Sequence, residues 1–203
     1  MIAIIAEKPS LARNIVAGLG TMTKKNGYFE SENYIVTWAF GHLFSLSDIE
    51  DYSSPAEGEA GAKQRWKMDN LPCFPQKFKF KLRDDDGVKK QFDIIKTLIN
   101  RDDVTEIVNA GDSDREGEII VRLCVYNALD GDKPFYRLWL PDQTPQTVKK
   151  AFAEMKTEKE YDNLADEGFA RTYIDWLYGV NLTRLVTLKT GSLLRVGRVI
   201  VPI

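Results

Sequence analysis

Asn109-Ala110-Gly111-Asp112-Ser113-Asp114-Arg115-Glu116-Gly117-Glu118 decides how the rest of this 203-residue chain is read. It follows the apolar pair Ile107-Val108 and leads into Ile119-Ile120-Val121-Arg122-Leu123-Cys124-Val125, a pattern that predicts a strand, a tight acidic turn and then a helix. Four carboxylates within seven residues repel one another, and a fold tolerates that more easily when a cation or a set of donors sits among them. The same composition also suits a plain helix start, because Asp caps helix N-termini and Glu favours the first turn. Spacing tilts the choice. Asp112 and Asp114, two apart on extended chain, share one side, and Glu116 continues that row or swings in from the first helical turn.

Working outward, Ile2 to Ala6 is a short continuous apolar run of the kind found in a strand buried on both faces. Pro9, followed by Leu11-Ala12-Arg13-Asn14-Ile15-Val16, suits a first helical turn, with Gly18 and Gly20 ending the helix. Glu7 and Lys8 therefore fall at the carboxyl end of a strand, the edge where open α/β sheets place their ligands, and Asp112 holds the equivalent position after Ile107-Val108. If the two strands are parallel neighbours, Glu7 and the acidic turn converge on one crevice.

The remaining segments fill in an alternation. Tyr28 to Trp38 reads as a hairpin turning at Ser31 to Asn33 and closed by Gly41-His42-Leu43. His42, the only histidine, is read as a hydrogen-bonded structural residue. Residues 47–73, rich in Gly, Ser, Pro and acids, read as a loop excursion. Phe78 to Leu82 alternates as an edge strand, and Asp84-Asp85-Asp86-Gly87 caps a helix carrying Val88, Phe92, Ile95, Leu98 and Ile99. Phe135 to Leu140 reads as a further strand, and Pro141 marks a boundary. Beyond it come helical patterns, first with Val148, Phe152 and Met155, then with Leu164, Phe169, Ile174, Trp176 and Leu177. The expectation is an α/β domain over residues 1–140 and the start of a mainly helical domain over residues 141–203. Val201-Pro202-Ile203 follows apolar sequence directly, which reads as a truncation.

Composition narrows the class. Hydrophobic content of 43% and charged content of 29% fit a globular protein, and no apolar run approaches the ~20 residues that span a bilayer. Met1-Ile2-Ala3-Ile4-Ile5-Ala6 is cut short by Glu7-Lys8-Pro9 and lacks the basic start of a signal peptide, so a cytoplasmic protein is expected. Cys73 and Cys124 stand apart, against a zinc site and in keeping with a reducing compartment. A formal net charge of −2 speaks against a generic nucleic-acid coating protein. Its distribution is uneven: no acidic residue follows Asp175, whereas Arg184, Lys189, Arg195 and Arg198 do.

Several separated motifs then agree. Ala6-Glu7-Lys8-Pro9-Ser10, Gly41-His42-Leu43, Asp112 to Glu118, Arg171 to Trp176, Asn181-Leu182-Thr183-Arg184 and Val196-Gly197-Arg198-Val199 together resemble the amino-terminal part of type IA DNA topoisomerases of the topoisomerase III kind. The resemblance covers nearly the whole chain. It implies a Toprim domain, a Rossmann-like, mostly parallel sheet with flanking helices, followed by part of a mainly helical DNA-binding domain. In that family a tyrosine attacks a phosphodiester of single-stranded DNA, a second strand passes through the gap, and the 5′-phosphotyrosyl link is resealed. The resemblance makes Glu7 the general acid/base near the leaving 3′ oxygen and Lys8 the cation on the scissile phosphate. Asp112, Asp114 and Glu116 become the triad that holds Mg²⁺, and Arg171, Arg184, Arg195 and Arg198 lie in or beside DNA-facing segments. Single-stranded DNA, the remainder of the chain and, as a candidate, a helicase are the implied partners, in a cytoplasmic, nucleoid-associated setting and with no membrane.

Phosphoryl transfer asks for the same parts: charge neutralised on non-bridging oxygens and a proton for the departing alkoxide. Trp176, Tyr173 and Tyr178 are nearby stacking surfaces for bases, although their helical spacing suits core packing better. Glu118 reads as an ordinary first-turn residue. Two departures stand out. The family's Gly-Arg-Val-Gln-Thr-Pro is here Gly197-Arg198-Val199-Ile200-Val201-Pro202, and none of the eight tyrosines lies in the family's nucleophile motif, which falls beyond residue 203. The chain alone is thus expected not to cleave DNA. The alternatives are a Toprim metal-dependent nuclease or primase-like enzyme, and a non-catalytic nucleic-acid-binding module.

Overall fold

Five residues in a row with apolar side chains make Ile2–Ala6 a strand, β1, whose Ala3, Ile4, Ile5 and Ala6 are fully buried. The computed structural model describes residues 1–52 and 66–197. After β1 come α1 (Pro9–Leu19), β2 (Thr23–Lys25), β3 (Tyr28–Glu30), β4 (Tyr34–Trp38) and β5 (Phe44–Leu46). Next are β6 (Phe80–Leu82), α2 (Asp86–Ile99), β7 (Glu106–Ala110), α3 (Arg115–Ala128) and β8 (Phe135–Arg137). The series ends with α4 (Pro145–Ala153), β9 (Lys156–Thr157) and the long α5 (Asp162–Thr190).

The chain divides into two compact units: Met1–Phe44 with Leu82–Gly168, and Ser45–Lys81 with Phe169–Ile203. In the first, one sheet runs in the order β2-β3-β4-β1-β7-β8-β9. Its centre is parallel, β1 pairing with β4 on one side and β7 on the other, and β7 with β8. The margins are antiparallel. This is the mixed α/β architecture that the strand and helix alternation predicts, with the parallel centre that the resemblance implies. Alternation along the strands sends Ile4, Ala6, Val36, Trp38, Val108 and Ala110 to one core, closed by Leu11, Ala12 and Ile15 of α1 and Val148 of α4. Buried Val88, Ile95, Leu98 and Ile99 give α2 its inward stripe on the sheet, beside α3. As the aspartate cluster predicts, the Asp85 side chain caps α2 by accepting from the Val88 amide at 2.9 Å.

Two strands differ from expectation. Phe78 to Leu82 is no edge of the main sheet; its ordered part, β6, pairs with β5 in a separate two-stranded sheet. The strand from Phe135 stops at Arg137, because the chain turns aside for the Leu140 amide to bond to Ser113 Oγ at 2.9 Å. Of the excursion at residues 47–73, the described parts carry 3-10 turns at Ile49–Tyr52 and Met68–Asn70, and residues 53–65 fall outside the described set.

In the second unit, aromatic contacts gather on α5. Phe78 stacks on Tyr173 at 4.2 Å, Trp176 meets Tyr52 and Phe78 edge-on, and Trp176 Nε1 donates to Ser47 O at 3.0 Å. Tyr173 and Trp176 are therefore packing residues, while Tyr178 is exposed. No helix among the described residues is long and apolar enough to cross a membrane.

Candidate active site

The register of β1 against β7 places Ala6 beside Ala110, so the two chains leave the sheet side by side, one as Glu7-Lys8 and the other as Gly111-Asp112. The expected crevice at the carboxyl ends of two parallel neighbours is thus present in the first unit. Glu7 Oε2 accepts a hydrogen bond from the Asp112 amide at 3.2 Å, and Lys8 Nζ pairs with Asp112 Oδ2. Burial pushes the Glu7 carboxyl up, helped by the charges of Asp112 and Asp114 and opposed by the Asp112 amide and Lys8. The balance leaves it raised. Its hydrogen bond to Asp112 in turn raises the Lys8 ammonium, which stays charged.

The acidic turn is built as a helix start with no room to spare. Asp114 is extended (φ −148°, ψ 176°) and caps α3, its Oδ1 accepting from the Gly117 amide at 2.7 Å. A Cβ on Gly111 would lie 2.0 Å from Gly117 O, and one on Gly117 would lie 2.4 Å from both the N and O of Asp112, so only glycine fits at either position. Ser113 Oγ also donates to Leu140 O at 2.7 Å. Glu116 Oε2 stands 3.3 Å from Nε2 of His42, which brings the lone histidine to the rim of the site.

Beneath the turn lies a buried charge network. Arg137, fully buried on β8, donates through Nη1 to Gly111 O (2.9 Å) and Leu138 O (2.9 Å), and through Nη2 to Asp112 O (2.7 Å). Its Nε is 2.7 Å from Glu118 Oε2. Glu118 is therefore no ordinary first-turn residue: it is fully buried and shared between Arg137 and Arg122, whose Nε donates to Glu118 Oε1 at 2.9 Å. Arg122 continues to Glu158 and Asp162, and Asn109 Nδ2 reaches Glu158 Oε1 at 2.9 Å. Burial, together with the neighbouring Glu118, raises the Glu158 carboxyl, so it holds a proton that a free carboxylate would shed.

The donors suit a hard divalent cation. Asp112 Oδ1 is buried and has no hydrogen-bond partner among the described residues, leaving one carboxylate oxygen uncommitted while Oδ2 faces Lys8. Among those residues no three His, Cys, Asp or Glu side chains stand together as a ready cage. A cation that keeps several waters and takes one or two carboxylates needs none.

The four arginines divide. Arg171 lies on α5, its Nε 3.7 Å from Asp175 Oδ2, and Arg195 is exposed after that helix. Arg184, expected in or beside a DNA-facing segment, is turned inward. It is 3% exposed, its Nη1 donates to Glu50 at 2.6 Å and its Nη2 to Asp48 at 2.5 Å, so its guanidinium is consumed inside the second unit. Arg198 lies outside the described residues.

Residues 2–141 match the Toprim domain family, and the chain belongs to it. Over 199 residues, the Toprim domain included, the chain is 39% identical to DNA topoisomerase 3 of Bacillus subtilis, covering 98% of this chain and 26% of that protein. It is 40% identical to DNA topoisomerase 3 of Bacillus cereus and 38% identical to that of Staphylococcus saprophyticus, with the same coverage. The chain thus spans about a quarter of the length of the curated relatives it matches.

Proposed function

We propose that this chain is the Toprim-bearing amino-terminal part of a type IA DNA topoisomerase, with residues 1–140 as the Toprim domain and 141–203 opening a helical DNA-binding domain. It works on single-stranded DNA in the cytoplasm, with Mg²⁺, together with a later part of the same protein that carries the nucleophilic tyrosine. The observation that carries this reading is the joining of Glu7, Lys8 and Asp112 at two adjacent strand ends, with a raised Glu7 carboxyl and an uncommitted Asp112 oxygen. The likeness to DNA topoisomerase 3 over nearly the whole chain supports it.

In this reading the tyrosine oxygen, its phenolic proton released to solvent, bonds to phosphorus as the bond from phosphorus to the 3′ oxygen breaks. Glu7, whose carboxyl burial and neighbouring carboxylates shift toward the acid form, gives that oxygen its proton and takes it back on resealing. Lys8 sets its ammonium against the scissile phosphate; Asp112, through its uncommitted oxygen, would be the first ligand of the cation, with Asp114 and Glu116 of the same turn the further carboxylates that could join it. A Mg²⁺ held there would supply charge neutralisation for the phosphate's non-bridging oxygens. Arg171, Arg195 and Arg198 take backbone phosphates.

The test uses the 203-residue chain and the full-length protein side by side, each incubated with single-stranded DNA and Mg²⁺. Covalent DNA–protein complex from the longer protein and none from the shorter is the expected result. Metal-dependent turnover by the 203 residues alone would replace this reading with a Toprim nuclease or primase-like one. Full relaxation activity after joint Asp112→Asn and Asp114→Asn substitution would leave only a binding module.

A further inference from the structure

We propose that Arg137 is a positioning residue for this site: its buried guanidinium holds the carbonyl edge of the acidic turn and thereby sets where Asp112 stands. The inference rests on the function proposed above only for its metal-binding consequence.

The Asp112 peptide is gripped from both ends. Its N–H donates to Glu7 Oε2 at 3.2 Å, and its C=O accepts from Arg137 Nη2 at 2.7 Å. Arg137 Nη1 takes Gly111 O at 2.9 Å and makes a longer contact with Asn109 O at 3.3 Å, so one planar fork binds two carbonyls of the turn and a third at the end of β7. The fork is itself immobilised. Its Nε faces Glu118 Oε2 at 2.7 Å, Glu118 is locked by Arg122, and the guanidinium carbon sits 5.0 Å from the centre of the Trp139 ring. Glu118 belongs to the first turn of α3, the helix that Asp114 caps. Arg137 thus couples β8, the turn and the helix start into one rigid seat for the Asp112 side chain, without reaching substrate or cation. Groups that orient a metal-side carboxylate in this way commonly change metal affinity 10- to 100-fold when altered. A lysine keeps the charge but replaces the fork with a single flexible ammonium that cannot span the same carbonyls.

Two measurements on R137K in the full-length protein test this. The first is amide hydrogen exchange over residues 109–114, with residues 2–6 of β1 as the control. Exchange over 109–114 is expected to speed at least about tenfold while 2–6 stays within about twofold. The second is calorimetric titration with Mg²⁺, where the half-saturating concentration is expected to rise about 10- to 100-fold. Unchanged exchange over 109–114, or a rise shared equally by β1, would overturn the proposal, the latter because it marks a merely structural role. If R137K fails to fold, E118Q, which loosens the Nε anchor while keeping the arginine, is read the same way. A wild-type protein that takes up no Mg²⁺ would count against the proposed function, and the exchange measurement would still decide the role of Arg137.

Discussion

Glu7 and Asp112, 105 positions apart in the chain, are joined by a hydrogen bond of 3.2 Å from the Asp112 amide to Glu7 Oε2. The contact follows from parallel pairing of β1 with β7, which brings the two strand ends level. It places opposed influences on one carboxyl. The amide stabilises the charged form and so lowers the pKa, whereas burial and two neighbouring carboxylates raise it. Burial is the largest influence, and the acid form therefore survives to higher pH than in a free glutamate.

Glu7→Gln in the full-length protein should reduce DNA cleavage by at least about a hundredfold while leaving single-stranded DNA affinity within about twofold. The substitution removes a proton donor and leaves phosphate contacts in place. Trapping of covalent complex and filter binding measure the two quantities, and undiminished covalent complex would show that Glu7 is not the acid. In the wild type, cleavage should fall as pH rises through the raised Glu7 pKa, and Glu7→Gln should erase that limb.

Gly117→Ala should destabilise the first unit by about 1–3 kcal/mol, because the new methyl group would meet the Asp112 backbone at 2.4 Å and the turn must open to admit it. Urea denaturation with an unchanged slope measures this. A stability equal to wild type would mean that the turn yields without cost.

How much of this could be read from the chain is clearest in the contrast between Asp112 and Glu118. The central strands at Ile2 and Ile107, the helix start at Pro9 and the meeting of Glu7-Lys8 with the acidic turn are legible, since apolar runs act locally and parallel neighbours align their carboxyl ends. Glu118 reads in the sequence as an ordinary first-turn residue because its burial depends on Arg137 and Arg122, and charge pairing across elements leaves no periodic trace. Arg137 was hidden for a related reason: it stands in an apolar run where the pattern registers only a strand. Arg184, in a cationic stretch, resembled a phosphate contact until Asp48 and Glu50 were seen to claim it.

Arg184→Ala should cost on the order of 2 kcal/mol of stability, because it strands carboxylates that now share a buried guanidinium. The figure lies below that for a fully buried pair because Asp48 keeps about half its side-chain exposure. The salt dependence of DNA binding should be unchanged, in contrast with Arg198→Ala, which should flatten it by removing a phosphate contact. Thermal unfolding and binding measured at several salt concentrations separate the two. A flattened salt slope in Arg184→Ala would restore it as a DNA contact.

Glu158→Gln should make stability less dependent on pH. The folded-state pKa of Glu158 is raised, so between the ordinary carboxylate range and that raised value the native state holds a proton that the unfolded chain has lost. Stability from this group is full below the unfolded pKa and drains away as pH rises, at up to about 1.4 kcal/mol per pH unit within the window. Gln imitates the protonated carboxyl: its oxygen accepts from Asn109 and Arg122, and its amide donates where the acid proton did. Unfolding midpoints of wild type and variant from about pH 5 to pH 8 should therefore agree at the acid end and diverge upward, the variant becoming the more stable. Parallel curves would show that Glu158 is ionised in the folded protein and that Arg122 neutralises it instead.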